Sequence, residues 1–303
     1  MRKSDDCSLT AEQYSSVCKK AEYALRSAGA FGVFPTPIED ILSAQKLELE
    51  HENVFELSFL KKIRKRASSA LKSAIGKVIG LFHIPGKIIF IDKTVMAIKQ
   101  TFLKLHEIGH YILPWQRKMY AVVEDCKQTI DPEIADLFER EANVFASEVL
   151  FQRNTFIEEA LDDPFGIKVP MKLSKKYGAS VYASIRQYVQ KNPRSCIVLV
   201  LNPPELIDGS GFRAHLRREI VSPSFKRVFG EFNWPAYFSP DDEIGAIIPM
   251  GSKRMSSPKE IILTDRNGTE HNCIAESFKH PYNVFILIHV VQELTKKSVL
   301  ISR

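Results

Sequence analysis

The pentapeptide His-Glu-Ile-Gly-His, residues 106–110, lies inside the run TFLKLHEIGHYIL at 101–113. Phe102, Leu105, Ile108, Tyr111, Ile112 and Leu113 recur at helical spacing and read as the apolar stripe of a buried helix. His106, Glu107 and His110 interrupt that stripe, where polar groups without partners are costly. The fold has to supply those partners, as hydrogen bonds, a metal ion or chemistry. On a helix His106 and His110 stand one above the other on one face, so both imidazoles can reach one tetrahedral ion. Glu107 then sits beside the ion, placed to take a proton from a water bound there. The bland alternative is two core histidines and a surface glutamate, and the apolar surroundings weigh against it.

The rest of the chain narrows the class. At 303 residues, 45% hydrophobic and 26% charged, it can bury a core of its own and is not a disordered polymer. The longest apolar runs, IVLVL at 197–201 and VFILIHVV at 284–291, are too short to span a bilayer. The start, MRKSDDCSLTAEQ, lacks an apolar signal core, and the five cysteines are scattered without a Cys-x-x-Cys pair. A reduced cytoplasmic protein without a membrane span is expected. The net charge of +6 is concentrated in KKIRKRASSALKSAIGK at 61–77 and FRAHLRRE at 212–219. Such runs serve as solvated helix faces more often than as nucleic-acid sites.

Along the chain, Thr10 and Gln13 have capping-box spacing and open a helix that ends near Gly29. Thr36 is expected as the N-cap of a second helix with Pro37 at its first position. The stretch 59–76 reads as a further helix. Residues 77–83 and 87–92 read as two strands joined at Pro85-Gly86, leading into a helix at 94–113 that Pro114 helps to end. Asp131 and Pro132 open the next helix. LSKKYGASVYASIRQYV at 173–189 has helix–turn–helix character with Gly178 at the turn. From about 195 the texture becomes strands and loops, with Arg266-Asn267-Gly268 as a hairpin turn and YNVFILIHVVQEL as a final strand or helix. The expected class is α+β. A mainly helical domain with a small β-hairpin spans 1–155, with a basic insertion at about 51–77. A helix–turn–helix-like segment follows at 156–194, and an α/β domain at 195–303.

A catalytic metal needs a third protein ligand. Glu139, Glu141 and Glu148 are available on the 131–151 helix, and Glu124 and Asp125 before it. Glu139 comes first, because its face carries Ala135, Ala142, Asn143 and Ala146, small or polar neighbours that let two helices approach closely. Glu141 falls among Ile134, Phe138 and Phe145 and comes second, while Glu148 reads as an exposed charge. Asn143, one turn after Glu139, is placed to orient a ligand by a hydrogen bond.

HEIGHYIL followed by EREANVFASEVL resembles the ImmA/IrrE family of bacterial zinc metallopeptidases, which pair a His-Glu-x-x-His helix with a later Glu-x-x-Ala-Asn-x-Phe-Ala helix. The resemblance covers the paired helices, the preceding hairpin and the 173–189 segment. It implies His106, His110 and Glu139 as metal ligands and Glu107 as the catalytic base. This chain departs from the family in having Leu150-Phe151-Gln152 where Leu-Met-Pro is usual, and in the basic insertion.

The resemblance further implies that 1–155 is a zincin-like peptidase domain and 195–303 a sensor or regulatory domain, in a zinc-dependent endopeptidase that cuts a helix–turn–helix repressor and releases a stress or mobile-element regulon. In the IrrE branch a C-terminal GAF-like domain follows, which would take a small-molecule signal. Zinc is the expected ion, and manganese or another divalent metal suits the same ligands. The competing reading is a non-proteolytic, metal-containing regulator that binds DNA or a protein through Lys175, Lys176, Arg186 and the tyrosines Tyr177, Tyr182 and Tyr188. An intact Glu107 argues against it, since a structural site requires no base.

Overall fold

The computed structural model describes residues 7–52, 80–83, 88–92, 97–119, 131–209 and 211–293. The basic insertion beyond residue 52, the helix expected at 59–76, the Pro85-Gly86 turn, Glu124 and Asp125 lie outside those residues. The chain is a mixed α+β protein that divides into two compact units, 1–156 with 174–180 and 157–173 with 181–303. No helix among the described residues is long and apolar enough to cross a membrane.

In the first unit, helix α1 (Ala11–Ser27) opens on the capping box read from the sequence. Thr10 accepts from the Gln13 amide, and the Gln13 side chain accepts from the Thr10 amide. Helix α2 (Ile38–Gln45) corrects its expected cap, because Pro37 and not Thr36 is the N-cap. The Thr36 hydroxyl is buried and is claimed by long-range partners, the carbonyls of Val149 and Leu150 and the Gln152 amide. A local rule lost to tertiary hydrogen bonding.

Strands β1 (Glu48–Glu52), β2 (Gly80–His83) and β3 (Ile88–Asp92) form a sheet of order β1-β3-β2. The β2–β3 pairing is antiparallel and the β1–β3 pairing parallel. Helix α3 (Ala97–Ile112) packs on β2 and β3 and carries the histidine motif. A bend at Leu113 separates it from a second helical piece, residues 114–119, which Pro114 opens. Helix α4 (Pro132–Leu150) starts at Asp131, whose carboxylate accepts from the Glu133 and Ile134 amides. It packs against both α3 and α1.

Helix α5 (Thr155–Leu161) leads to α6 (Lys168–Lys176) and α7 (Val181–Gln190). The turn between α6 and α7 is the one the sequence placed at Gly178, which takes φ +62°. A Cβ there would meet the Pro35 Cβ at 2.9 Å, so both conformation and space call for glycine.

The second unit is built on β4 (Cys196–Leu201), β5 (Glu205–Ile207), β6 (Gly211–Val221), β7 (Tyr237–Phe238), β8 (Lys259–Thr264), β9 (Glu270–His280) and β10 (Asn283–Glu293). Their order is β5-β6-β4-β10-β9-β8, with β7 on β6, and every pairing is antiparallel. The β8–β9 turn contains Asn267-Gly268 as expected, and Asp265 accepts from the Asn267 and Thr269 amides. The stretch 283–293 resolves as strand. One sheet face presents Ile197, Leu199, Ala275, Ile286 and Ile288 to the core beneath α8 (Pro223–Phe229). Phe225, Phe229 and Phe238 fill that core and Trp234 packs against it, which accounts for the aromatic-rich middle of the sequence. Helix α7 packs on β4 and β6, and β4 is buried along its whole length, as its unbroken apolar run requires.

Candidate metal centre

The α3–α4 contact brings the motif and its expected third ligand together. Gly109 makes the close approach possible, since a Cβ there would lie 3.0 Å from Phe145 Cδ1 and 3.4 Å from Ala142 Cα. Leu105 and Ile108 are fully buried beside the motif. With the helices at this separation, His106 Nε2 lies 3.1 Å from His110 Nε2, 3.3 Å from Glu139 Oε2 and within a cluster whose three donor atoms are all within 4.8 Å of one another. His110 Nε2 is 3.5 Å from Glu139 Oε1. Both histidines are largely buried, whereas the Glu139 side chain is 57% exposed, so the cluster opens on the carboxylate side.

The outer nitrogens are held as well. His106 Nδ1 faces Asn143 Oδ1 at 3.1 Å, the contact expected of Asn143. His110 Nδ1 faces Gln116 Oε1 at 2.7 Å. Gln116 is not among the residues that helical spacing points to, because the bend at Leu113 is what turns the following helical piece back towards the motif. A polar residue six positions after a motif histidine, just beyond a proline, is the only local trace of it.

Glu141 is not in the cluster. It is 3% exposed, and its Oε2 accepts from Trp115 Nε1 at 2.7 Å and Gln116 Nε2 at 2.6 Å. The interrupted apolar face that ranked it second is thus satisfied by an indole and an amide. Glu148, expected as an exposed charge, is 2% exposed and accepts from the Tyr14 hydroxyl at 2.6 Å.

The electrostatics separate the four groups. Burial pushes the Glu107 carboxyl up, the His106 charge pulls it back and Glu139 raises it again, leaving it at about 7. Burial and the neighbouring His106 take His110 down to about 4. Burial also opposes charge on His106, but the hydrogen bond to Glu139 and the charges of Glu107 and Glu139 outweigh it and raise the imidazole. Glu139 ends at about 2, because its hydrogen bond to His106 and the charges of both histidines overcome burial. Two imidazoles and a carboxylate converging on one point are the donor set of a catalytic zinc site. The chemistry and the geometry fit a divalent cation.

Residues 62–185 match the model of the IrrE N-terminal-like domain, Peptidase_M78. No curated protein matches the chain. Among solved structures, a Mycobacterium tuberculosis transcriptional regulator is similar with a TM-score of 0.51 at 11% identity, over 92% of this chain and 88% of that one, a likeness of fold. Residues 62–185, which contain the His-Glu-x-x-His helix and the Glu139 helix packed on it, are thus similar to the IrrE N-terminal-like domain of the M78 peptidase family.

Proposed function

We propose that the protein is a zinc-dependent endopeptidase that cuts a helix–turn–helix transcriptional repressor in the cytoplasm. The convergence of His106, His110 and Glu139 beside the buried Glu107 carries this reading. His106 and His110 would hold the ion through Nε2, and Glu139 through its carboxylate. When bound, zinc would acidify a water towards neutrality and polarise the scissile carbonyl, and manganese at the same ligands would do so less strongly. Glu107 is a carboxylate with a proton affinity near neutral, so it can accept a proton on its carboxylate oxygen and return it to a leaving amine. Asn143 and Gln116 hold the imidazole planes. The repressor class rests on the likeness of HEIGHYIL and EREANVFASEVL to the ImmA/IrrE motif. In this reading residues 195–303 are the regulatory part, open to a small-molecule signal.

The test is elemental analysis of the wild type, Glu139→Ala and Glu141→Ala, followed by incubation with helix–turn–helix repressors. About one zinc per chain is expected, lost in Glu139→Ala and retained in Glu141→Ala at saturating zinc. Cleavage should vanish in Glu107→Gln. A wild-type chain that takes up no divalent metal overturns the reading.

A further inference from the structure

Gln116 is fully buried, and its amide can adopt only one orientation. Its Nε2 lies 2.6 Å from the Glu141 carboxylate and 3.2 Å from the Phe138 carbonyl oxygen. Both neighbours are acceptors, so an amide flip would press oxygen against oxygen at each contact. The amide oxygen must therefore face His110 Nδ1, 2.7 Å away. An oxygen there accepts, so Nδ1 must carry the hydrogen and Nε2 must carry the lone pair. That lone pair points at the donor cluster.

Resting on the metal-centre reading, we infer that Glu141 and Gln116 form a positioning relay that locks His110 in its Nδ1–H tautomer and presents Nε2 to a divalent cation. Glu141 is anchored in turn by Trp115, whose indole nitrogen donates to the same oxygen at 2.7 Å. The two histidines are then unequal. His106 is oriented by the neutral carbonyl of Asn143, whereas His110 is backed by a buried carboxylate through one intervening amide. Charge-assisted hydrogen bonds are shorter and stronger than neutral ones, and a carboxylate behind a ligating imidazole raises its basicity. Glu141 thereby holds the ion without touching it. Neither residue is a catalytic residue in this scheme.

The relay makes a prediction that is independent of proteolysis. Imidazole ¹⁵N spectra of the full metal-free chain at neutral pH, assigned with His110→Ala, should show His110 protonated at Nδ1. In Gln116→Leu the Nε2–H form should become populated, and the zinc dissociation constant from chelator competition should weaken roughly 10–100-fold. Glu141→Gln keeps the shape and an acceptor oxygen but removes the charge, so the tautomer should persist while zinc binding weakens several-fold. An unchanged tautomer and affinity in Gln116→Leu overturns the relay. If that variant does not fold, Glu141→Gln decides alone, and an unaltered dissociation constant there overturns it. A chain that shows both changes yet cuts no repressor loses the peptidase reading and keeps the relay.

Discussion

Tyr14 on α1 donates its hydroxyl to Glu148 on α4 across 2.6 Å and 134 residues of sequence. The carboxylate is 2% exposed. Burial and the adjacent Glu148 charge push the phenol far above its ordinary range, so it remains a donor at every working pH. This bond ties the N-terminal helix to the helix that carries Glu139.

Tyr14→Phe removes that donor and leaves the shape almost intact. A buried acceptor deprived of its partner costs about 1–3 kcal/mol. Urea unfolding followed by Trp115 fluorescence should show a lower midpoint for the first unit, with the zinc stoichiometry unchanged. An unaltered midpoint would show that Glu148 finds an equivalent donor.

Gln152 predicts a larger effect. It is fully buried, and its Oε1 accepts from the Gly32 amide at 2.7 Å. Its Nε2 donates to the carbonyls of Ala30 and Val33 and to the Thr36 hydroxyl. The residue that departs from the family's usual Leu-Met-Pro thus fastens the α1–α2 connection to the end of α4. Gln152→Leu strands several buried groups together and should cost at least about 3 kcal/mol. Hydrogen exchange at Gly32 should speed up in the variant; unaltered protection there would refute the assignment.

Gly109→Val tests the helix contact that assembles the site. The Cβ contacts at 3.0 Å and 3.4 Å leave no room for a branched side chain, and overpacking of this kind costs about 1–3 kcal/mol. The two helices should separate, so zinc affinity should fall even where the chain stays folded. Wild-type affinity in a folded Gly109→Val protein would show that the ligands do not depend on this packing.

His289 gives the second unit a pH dependence. It is 9% exposed, its ring lies 4.4 Å from that of Phe165, and burial with the Arg194 charge lowers it to about 4. Because its folded value lies below the ordinary 6.5, the unfolded chain binds the proton more readily. Stability from this group is therefore complete above about 6.5 and is lost as pH falls towards about 4. Unfolding followed by Trp234 fluorescence at pH 7.5 and 5 should show a smaller pH difference in His289→Leu than in the wild type. Equal differences would remove His289 as the cause.

The sequence by itself determined those features that are local or periodic. The Thr10–Gln13 capping box, the Asp131–Pro132 helix start, the Gly178 turn and the Asn-Gly hairpin are set by a few adjacent residues, and the structure keeps them. His106 and His110 were legible as a pair because four residues bring a helix back to the same face. The meeting of Glu139 with that pair was arguable from the small residues around it, since close helix approach needs them.

Only the tertiary structure decided which polar groups are partners across the chain. Thr36 left its expected capping role for carbonyls more than 110 residues away. Glu141 and Glu148, chemically identical to Glu139 and on the same helix, found an amide–indole pair and a tyrosine. Gln116 reached His110 because the chain bends at Leu113. A buried polar atom is costly unless paired, but any donor or acceptor of suitable geometry can satisfy it. Sequence spacing shows that a partner is required; the packing of α1, α3 and α4 selects it.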